Sequence, residues 1–245
     1  MCRKIVTFFY QWALVISSIL SQSVYAQEGN THGLYLQSKG GFLMAHRSAM
    51  AHLVRNNALG LEVGYVKYKQ AYEDRFYRFP SLGFNLEFRN FGYSKVLGSA
   101  VSLSHFFGRS IYQSNSFFVD FQYGMGVGYI TKKYDLATNP TNNAIGSHFN
   151  AKVTLKLMAT KNFNSFTLGG GLELSHFSNG AITYPNLGLN LPSVCIQVGL
   201  LNNVRMNYHS QNWDGIDLLE KREKNLLISA VGAIKQVRAN PNLPK

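Results

Sequence analysis

Cysteine is nearly absent from this chain, which has two in 245 residues. Cys2 sits in the N-terminal segment, which leaves Cys195 alone in the body of the protein. A disulfide framework and a cysteine-rich metal site are both excluded. Acidic residues are scarce too, 12 against 24 lysines and arginines, giving a formal net charge of +12. Asp135 and the carboxylates near Glu73 and Asp74 do not make a metal set. Gly169-Gly170-Gly171 lacks the helix and lysine that would follow in a phosphate loop, so no metal and no cofactor is expected. After residue 26 no apolar run approaches the roughly eighteen residues of a spanning helix. Amphipathic helices, repeats, linkers and low-complexity stretches are missing as well, which predicts one domain over residues 27–245.

The start of the chain is different in kind. Arg3 and Lys4 precede an apolar run from Ile5 to about Leu20, and Val24-Tyr25-Ala26 offers a small-residue cleavage site. Residues 1–26 therefore read as a secretory signal peptide cleaved after Ala26, with an uncleaved anchor as the alternative. Export also interprets the positive charge. Lys67, Lys69, Arg75, Arg78, Lys132 and Lys133 cluster at predicted strand ends and loops. An exported basic surface is expected to meet anionic lipid headgroups rather than nucleic acid, with a generally basic, solvated surface as the equal alternative.

What remains is alternation. Phe117, Val119, Phe121, Tyr123, Met125, Val127 and Tyr129 share one face of a predicted strand, opposite Phe118, Asp120, Gln122 and three glycines. Leu82, Phe84, Leu86 and Phe88 alternate with Gly83, Asn85, Glu87 and Arg89; Phe149 to Leu157 alternates in the same way with Asn150, Lys152, Thr154 and Lys156. Weaker segments fall near 33–44, 58–69, 96–107, 165–178, 193–203 and 225–236. A soluble barrel or sandwich would alternate too. These strands, however, run about 10–13 residues, where globular strands average about five or six. Aromatics such as Tyr65, Tyr68, Phe106, Phe107 and Tyr129 gather at strand ends, and charges fall opposite the large apolar side chains. The expected fold is all-β, an antiparallel transmembrane barrel of the outer membrane with about 8–10 strands. Nine strands is an odd count, and the chain ends on Asn240-Pro241-Asn242-Leu243-Pro244-Lys245. Either one strand is misread or the chain is truncated before its last strand.

One strand carries chemistry. Leu168, Leu172 and Leu174 share a parity, and His176 and Ser178 follow on it. Period-two geometry puts an imidazole and a hydroxyl side by side on a face built for lipid. An unpaired polar group buried there costs about 2–7 kcal/mol. A base beside a hydroxyl is the minimal kit for acyl transfer. The bland alternative is a strand leaving the membrane, where polar residues on both faces are ordinary. The remaining histidines, His46, His52, His105, His148 and His209, have no partner at a telling spacing and read as interfacial or lumenal.

The stretch His176-Phe177-Ser178-Asn179-Gly180, with Pro185-Asn186-Leu187-Gly188-Leu189-Asn190 downstream, resembles the lipid A 3-O-deacylases of the PagL type. Tyr129-Ile130-Thr131-Lys132-Lys133-Tyr134-Asp135 and the Asn-rich loop before Ser147 share in the resemblance, which covers roughly residues 75–200. It implies an outer-membrane barrel esterase that removes an ester-linked hydroxyacyl chain from the lipid A of lipopolysaccharide. Ser178 would be the nucleophile, His176 its general base, and Asn179 with the Gly180 backbone the oxyanion hole. Where the family pattern has an acid twelve residues after the serine, this chain has Asn190. An amide can accept from an imidazole N–H but cannot balance imidazolium by charge. Glu173 has the wrong parity to substitute for the acid and should face the lumen. Two rival readings stay open: an outer-membrane phospholipase, and a structural or adhesive barrel with an inert motif. Oligomeric state is left open.

Overall fold

A computed structural model describes residues 31–69, 80–163 and 166–202. Eight strands run β1 Thr31–Gly41, β2 Ala58–Tyr68, β3 Ser81–Asn90, β4 Ser99–Gln113, β5 Phe117–Ile130, β6 Phe149–Phe163, β7 Phe166–Ser178 and β8 Leu189–Leu201. Each pairs with its sequence neighbour, and β1 pairs antiparallel with β8, so the sheet closes with no free edge. Closure satisfies the backbone N–H and C=O groups between strands, the condition for a sheet surrounded by hydrocarbon. The ninth segment expected near 225–236 lies outside the described residues, as does the expected signal peptide at 1–26. The closed barrel resolves the odd count, since eight strands complete it.

Parity does what the sequence implied. Leu172 and Leu174 on β7, and Val127 and Tyr129 on β5, are exposed outward, while Glu173, Ser175 and Phe118 are buried inside. Two residues depart from the expected aromatic girdles. Phe106 and Tyr68 face inward, where they pack with Tyr35, Val66 and Leu201 at one end of the lumen. Adjacent residues on a strand take opposite faces, so of the Phe106-Phe107 pair only Phe107 reaches the exterior.

The middle of the lumen is a dense ion network. Lys39 Nζ lies 2.5 Å from Glu62, 3.0 Å from Glu87 and 2.7 Å from Glu173. Arg89 bridges Glu87 and Glu173 at 2.6 and 3.0 Å, Lys156 bridges Glu62 and Glu173 at 3.0 and 3.3 Å, and Lys152 pairs with Glu87. Burying such charges costs several kcal/mol per ion unless each is paired and hydrogen-bonded. Here each is, and the partners come from five different strands.

The two ends of the barrel differ. One carries the turn 114–116, the start of β3 and the end of β6. The other carries the segments 42–57, 91–98, 131–148 and 179–188, which fold together over the mouth. Leu43, Met50, Leu53, Phe91, Leu97, Ile145, Phe177 and Leu189 form an apolar plug there, with Phe91 and Phe177 edge to face at 5.6 Å. Asparagines stitch the loops: Asn139 and Asn142 donate to the Val96 carbonyl at 2.9 and 3.2 Å, and Asn143 to that of Ala49 at 2.6 Å. Strand β7 enters this end, carrying His176 and Ser178 to its rim.

Candidate active site

His176 and Ser178 both lie on the outer face of β7, half-buried, two residues apart. The strand rise sets their Cα atoms about 6.6 Å apart on one face, a gap an imidazole can span. Neighbouring strands fix their surroundings. His176 stands directly opposite Val153 of β6 and Asn190 of β8, and Ser178 opposite Ala151.

Asn190 belongs to β8 because that strand begins four residues earlier than expected. The alternation marks a strand only near 193–203, yet Leu189–Pro192 pairs with Leu174–Phe177. The extension puts Asn190 on the same outer face as His176, and its Oδ1 lies 2.7 Å from His176 Nδ1. That leaves Nε2, the nitrogen on the far side of the ring, with no hydrogen bond among the described residues. Gly188 makes room for the ring. Its φ is +77°, and a Cβ there would meet His176 Cε1 at 2.7 Å and the Phe177 carbonyl at 3.1 Å. Only glycine accepts both the conformation and the contact.

Ser178 Oγ accepts two hydrogen bonds. One comes from the Gly180 backbone N–H at 3.2 Å, the other from Asn186 Nδ2 at 2.9 Å. The chain turns sharply here, with Gly180 and Ala181 both left-handed at φ 66° and 63°. Asn179 occupies a different place from that expected of an oxyanion donor. Its Nδ2 donates to Ser147 Oγ and to the Thr183 carbonyl, both at 2.9 Å, and its backbone N–H donates to Asn186 Oδ1 at 3.2 Å. Asn179 thus holds the loop and aims Asn186. In the sequence Asn186 stands only within the downstream motif; no spacing rule marks its side chain, because the ten-residue loop 179–188 sets its direction. Gly188 N–H donates to the Ala144 carbonyl at 3.0 Å, so the 131–148 segment buttresses the same loop.

His46, expected to have no telling partner, also joins the site. Asn190 Nδ2 lies 2.9 Å from His46 Nδ1, across 144 residues of sequence. Glu173 sits on the inner face, bound to Lys39, Arg89 and Lys156, as its parity required.

Two concavities flank these residues. An outward-facing apolar groove of about 620 Å³ runs past Gly40, Phe42, Met44, Leu172, Leu174, Pro192 and Val194. Its upper residues adjoin the site: Leu174 precedes His176 on the same face, and Met44 N–H bonds the Asn190 carbonyl at 2.9 Å. A second cleft of about 340 Å³ is lined by Lys95, Lys132, Lys133, Asn139 and His148 at the loop end. Asp135 beside it is held below the usual carboxylate range by the Thr138 backbone N–H and hydroxyl and by the Ala137 N–H. Its charge is already occupied within its own turn. Among the described residues no group of three or more His, Cys, Asp or Glu is placed to hold a metal ion.

The chain is similar to known proteins in fold and in sequence. The crystal structure of the outer membrane enzyme PagL is similar with a TM-score of 0.47 and 14% identity, over 66% of this chain and 97% of that one. The crystal structure of Neisserial surface protein A (NspA) is similar with a TM-score of 0.40 and 11% identity, over 73% of this chain and 100% of that one. No curated protein matches the sequence. The model of the lipid A 3-O-deacylase (PagL) family matches residues 59–198, more than half of the chain and all of β7, its following loop and the Asn190 position. An eight-stranded barrel carrying this motif on its outer face belongs to the lipid A 3-O-deacylase (PagL) family.

Proposed function

We propose that the protein is a serine esterase of the outer membrane that removes an ester-linked 3-hydroxyacyl chain from the lipid A of lipopolysaccharide. The observation that carries this reading is the outward placement of His176, Ser178 and Asn190 at the rim of a lipid-facing surface. A soluble esterase sinks its site in a cleft; this one turns it toward the bilayer. Barrels of this class have short periplasmic turns and longer outer loops. The site lies at the end with the folded loops, at outer-leaflet height, where lipopolysaccharide resides. Export would follow from residues 1–26 as a signal peptide cleaved after Ala26.

In the proposed reaction the substrate's acyl chain lies along the apolar groove and its ester reaches Ser178. The Oγ attacks the ester carbonyl carbon as its proton passes to His176 Nε2. Asn190 Oδ1 accepts a hydrogen bond from Nδ1–H and so keeps Nε2 free to act as base. The oxyanion takes the hydrogen bonds now given to Oγ by Gly180 N–H and Asn186 Nδ2, with Asn179 bracing the loop that presents them. Collapse breaks the bond to the sugar oxygen, which leaves with the proton from His176. Water then attacks acyl-Ser178, giving its proton to His176, and the 3-hydroxy fatty acid departs as Ser178 is regenerated. The ammonium groups of Lys95, Lys132 and Lys133 offer the lipid A phosphates a counter-charge at the loop end.

Mass spectrometry of lipid A from cells expressing the wild type or Ser178→Ala tests the reading. Loss of one hydroxyacyl chain with the wild type alone supports it. Intact lipid A with wild-type-dependent release of fatty acid from phospholipid would indicate a phospholipase instead. No hydrolysis from a folded, inserted wild type would leave a structural barrel.

A further inference from the structure

We propose that His46 is a positioning residue that fixes the side-chain amide of Asn190 with its oxygen toward His176. The inference rests on the esterase reading above and concerns how this chain manages without the family's acid.

A carboxylate at position 190 would present two equivalent acceptors, and either would serve His176 Nδ1. An amide has one acceptor and one donor, so its orientation decides the histidine's chemistry. With Oδ1 toward His176, Nδ1 carries the proton and Nε2 is a free base. Turned over, Nδ2 would donate to Nδ1, the ring proton would move to Nε2, and no base would face Ser178. Something must therefore distinguish the two ends of the amide, and β7 does not.

The far side of Asn190 does. Strand β1 keeps its outward parity beyond Gly41: Phe42 N–H bonds the Pro192 carbonyl at 3.3 Å and Met44 N–H the Asn190 carbonyl at 2.9 Å. Phe42 and Met44 are exposed with Leu43 buried between them, and from Met44 to Ala49 every residue is exposed, so the alternation ends before His46. This run delivers His46 to the edge of Asn190 opposite His176. His46 Nδ1 accepts from Asn190 Nδ2 at 2.9 Å, while Asn190 Oδ1 faces His176 Nδ1 at 2.7 Å. With the His46 ring proton on Nε2, the productive orientation makes two matched hydrogen bonds; the reversed one needs that proton on Nδ1, the less favoured tautomer of a neutral imidazole, or sets Oδ1 against a bare nitrogen. His46 lies outside residues 59–198, the span matched by the family model.

Four variants of the full chain in detergent micelles test this: His46→Leu, His46→Gln, Asn190→Asp, and Asn190→Asp with His46→Leu. Release of 3-hydroxy fatty acid from purified lipopolysaccharide is followed, with Ser178→Ala as the blank. His46→Leu should lower kcat about tenfold with KM unchanged, the loss of one net hydrogen bond's discrimination. His46→Gln, whose amide can accept from Nδ2 or donate to Oδ1 and so favours neither orientation, should lose nearly as much. In the Asn190→Asp background the change at His46 should cost less than about twofold, because a carboxylate needs no orienting. An equal loss in both backgrounds, no loss in the first, or full activity in His46→Gln would each overturn the proposal. A readout independent of turnover separates it from the esterase reading itself. Nitrogen-15 NMR of histidine-labelled protein, with His176 assigned from His176→Gln, should show its proton on Nδ1 in the wild type and shifted toward Nε2 in His46→Leu. An unchanged tautomer would sink the idea even if the enzyme is active. A changed one would sustain it even if the substrate is another lipid.

Discussion

Strand β7 carries polar groups on both faces, and the two faces treat them oppositely. Inside, Glu173 touches Lys39, Arg89 and Lys156 at 2.7 to 3.3 Å and is fully enclosed. Outside, His176 is bonded only through Nδ1, and Ser178 Oγ accepts two hydrogen bonds while its own proton is given to no described residue. A saturated network resists change, since removing one charge strands its partners. A half-satisfied pair facing lipid has capacity left for a substrate. The same strand geometry therefore supports stability on one side and chemistry on the other.

The sharpest way to break this comparison is a matched pair of substitutions. Ser178→Ala should abolish hydrolysis, a fall of about 10⁴-fold or more in kcat. Its unfolding free energy should move by less than about 0.5 kcal/mol. Glu173→Gln should do the reverse, destabilising the barrel by about 3–5 kcal/mol through uncompensated cations while the folded fraction stays active. Denaturant titration followed by gel mobility, run beside the esterase assay, reads both. If Glu173→Gln kills activity without loss of stability, the inner face is part of the chemistry and the division fails.

A smaller effect is expected at Asn186, where the outer face gains its side-chain donor. Asn186→Ala should cost about 10²–10³-fold in kcat, as loss of one oxyanion donor does, with substrate affinity little changed. Asn179→Ala should instead show its loss mainly as a mobile loop, detectable as faster proteolysis between 179 and 188. Equal kinetic defects without added proteolysis in Asn179→Ala would make both asparagines direct donors.

The smallest effect concerns the groove. Gly40 faces outward into it, and a Cβ there would meet no atom within 4 Å. Gly40→Trp should leave hydrolysis of short-chain esters within about twofold and penalise long chains by about fourfold per displaced methylene. A preference for chain length that does not move would take the acyl chain out of this groove.

Much of this was open to reading before any coordinates. The alternation of Phe117 to Tyr129 with Phe118 to Gly128 assigned inside and outside correctly, because a pleated strand has period two and hydrocarbon punishes error on one face. Glu173 could be sent to the lumen on parity alone. Boundaries were harder: alternation marks β8 only near 193–203, yet pairing with β7 carries the strand back to Leu189. Tyr68 and Phe106 were read as girdle residues, since aromatic character suits a plugged lumen as well as an interface. His46 had no signal at all, because its partner is 144 residues away.

The sequence by itself determined an exported, alternating, lipid-facing β protein and put an imidazole and a hydroxyl on its apolar side. Those properties follow from local periodicity and from the cost of a polar group in hydrocarbon, which act residue by residue. Only the tertiary structure decided the closure through β1 and β8, the register that sets Asn190 opposite His176, and the approach of Asn186 and His46. These depend on which strands become neighbours and how loops return over the mouth, and contacts across the whole chain set both.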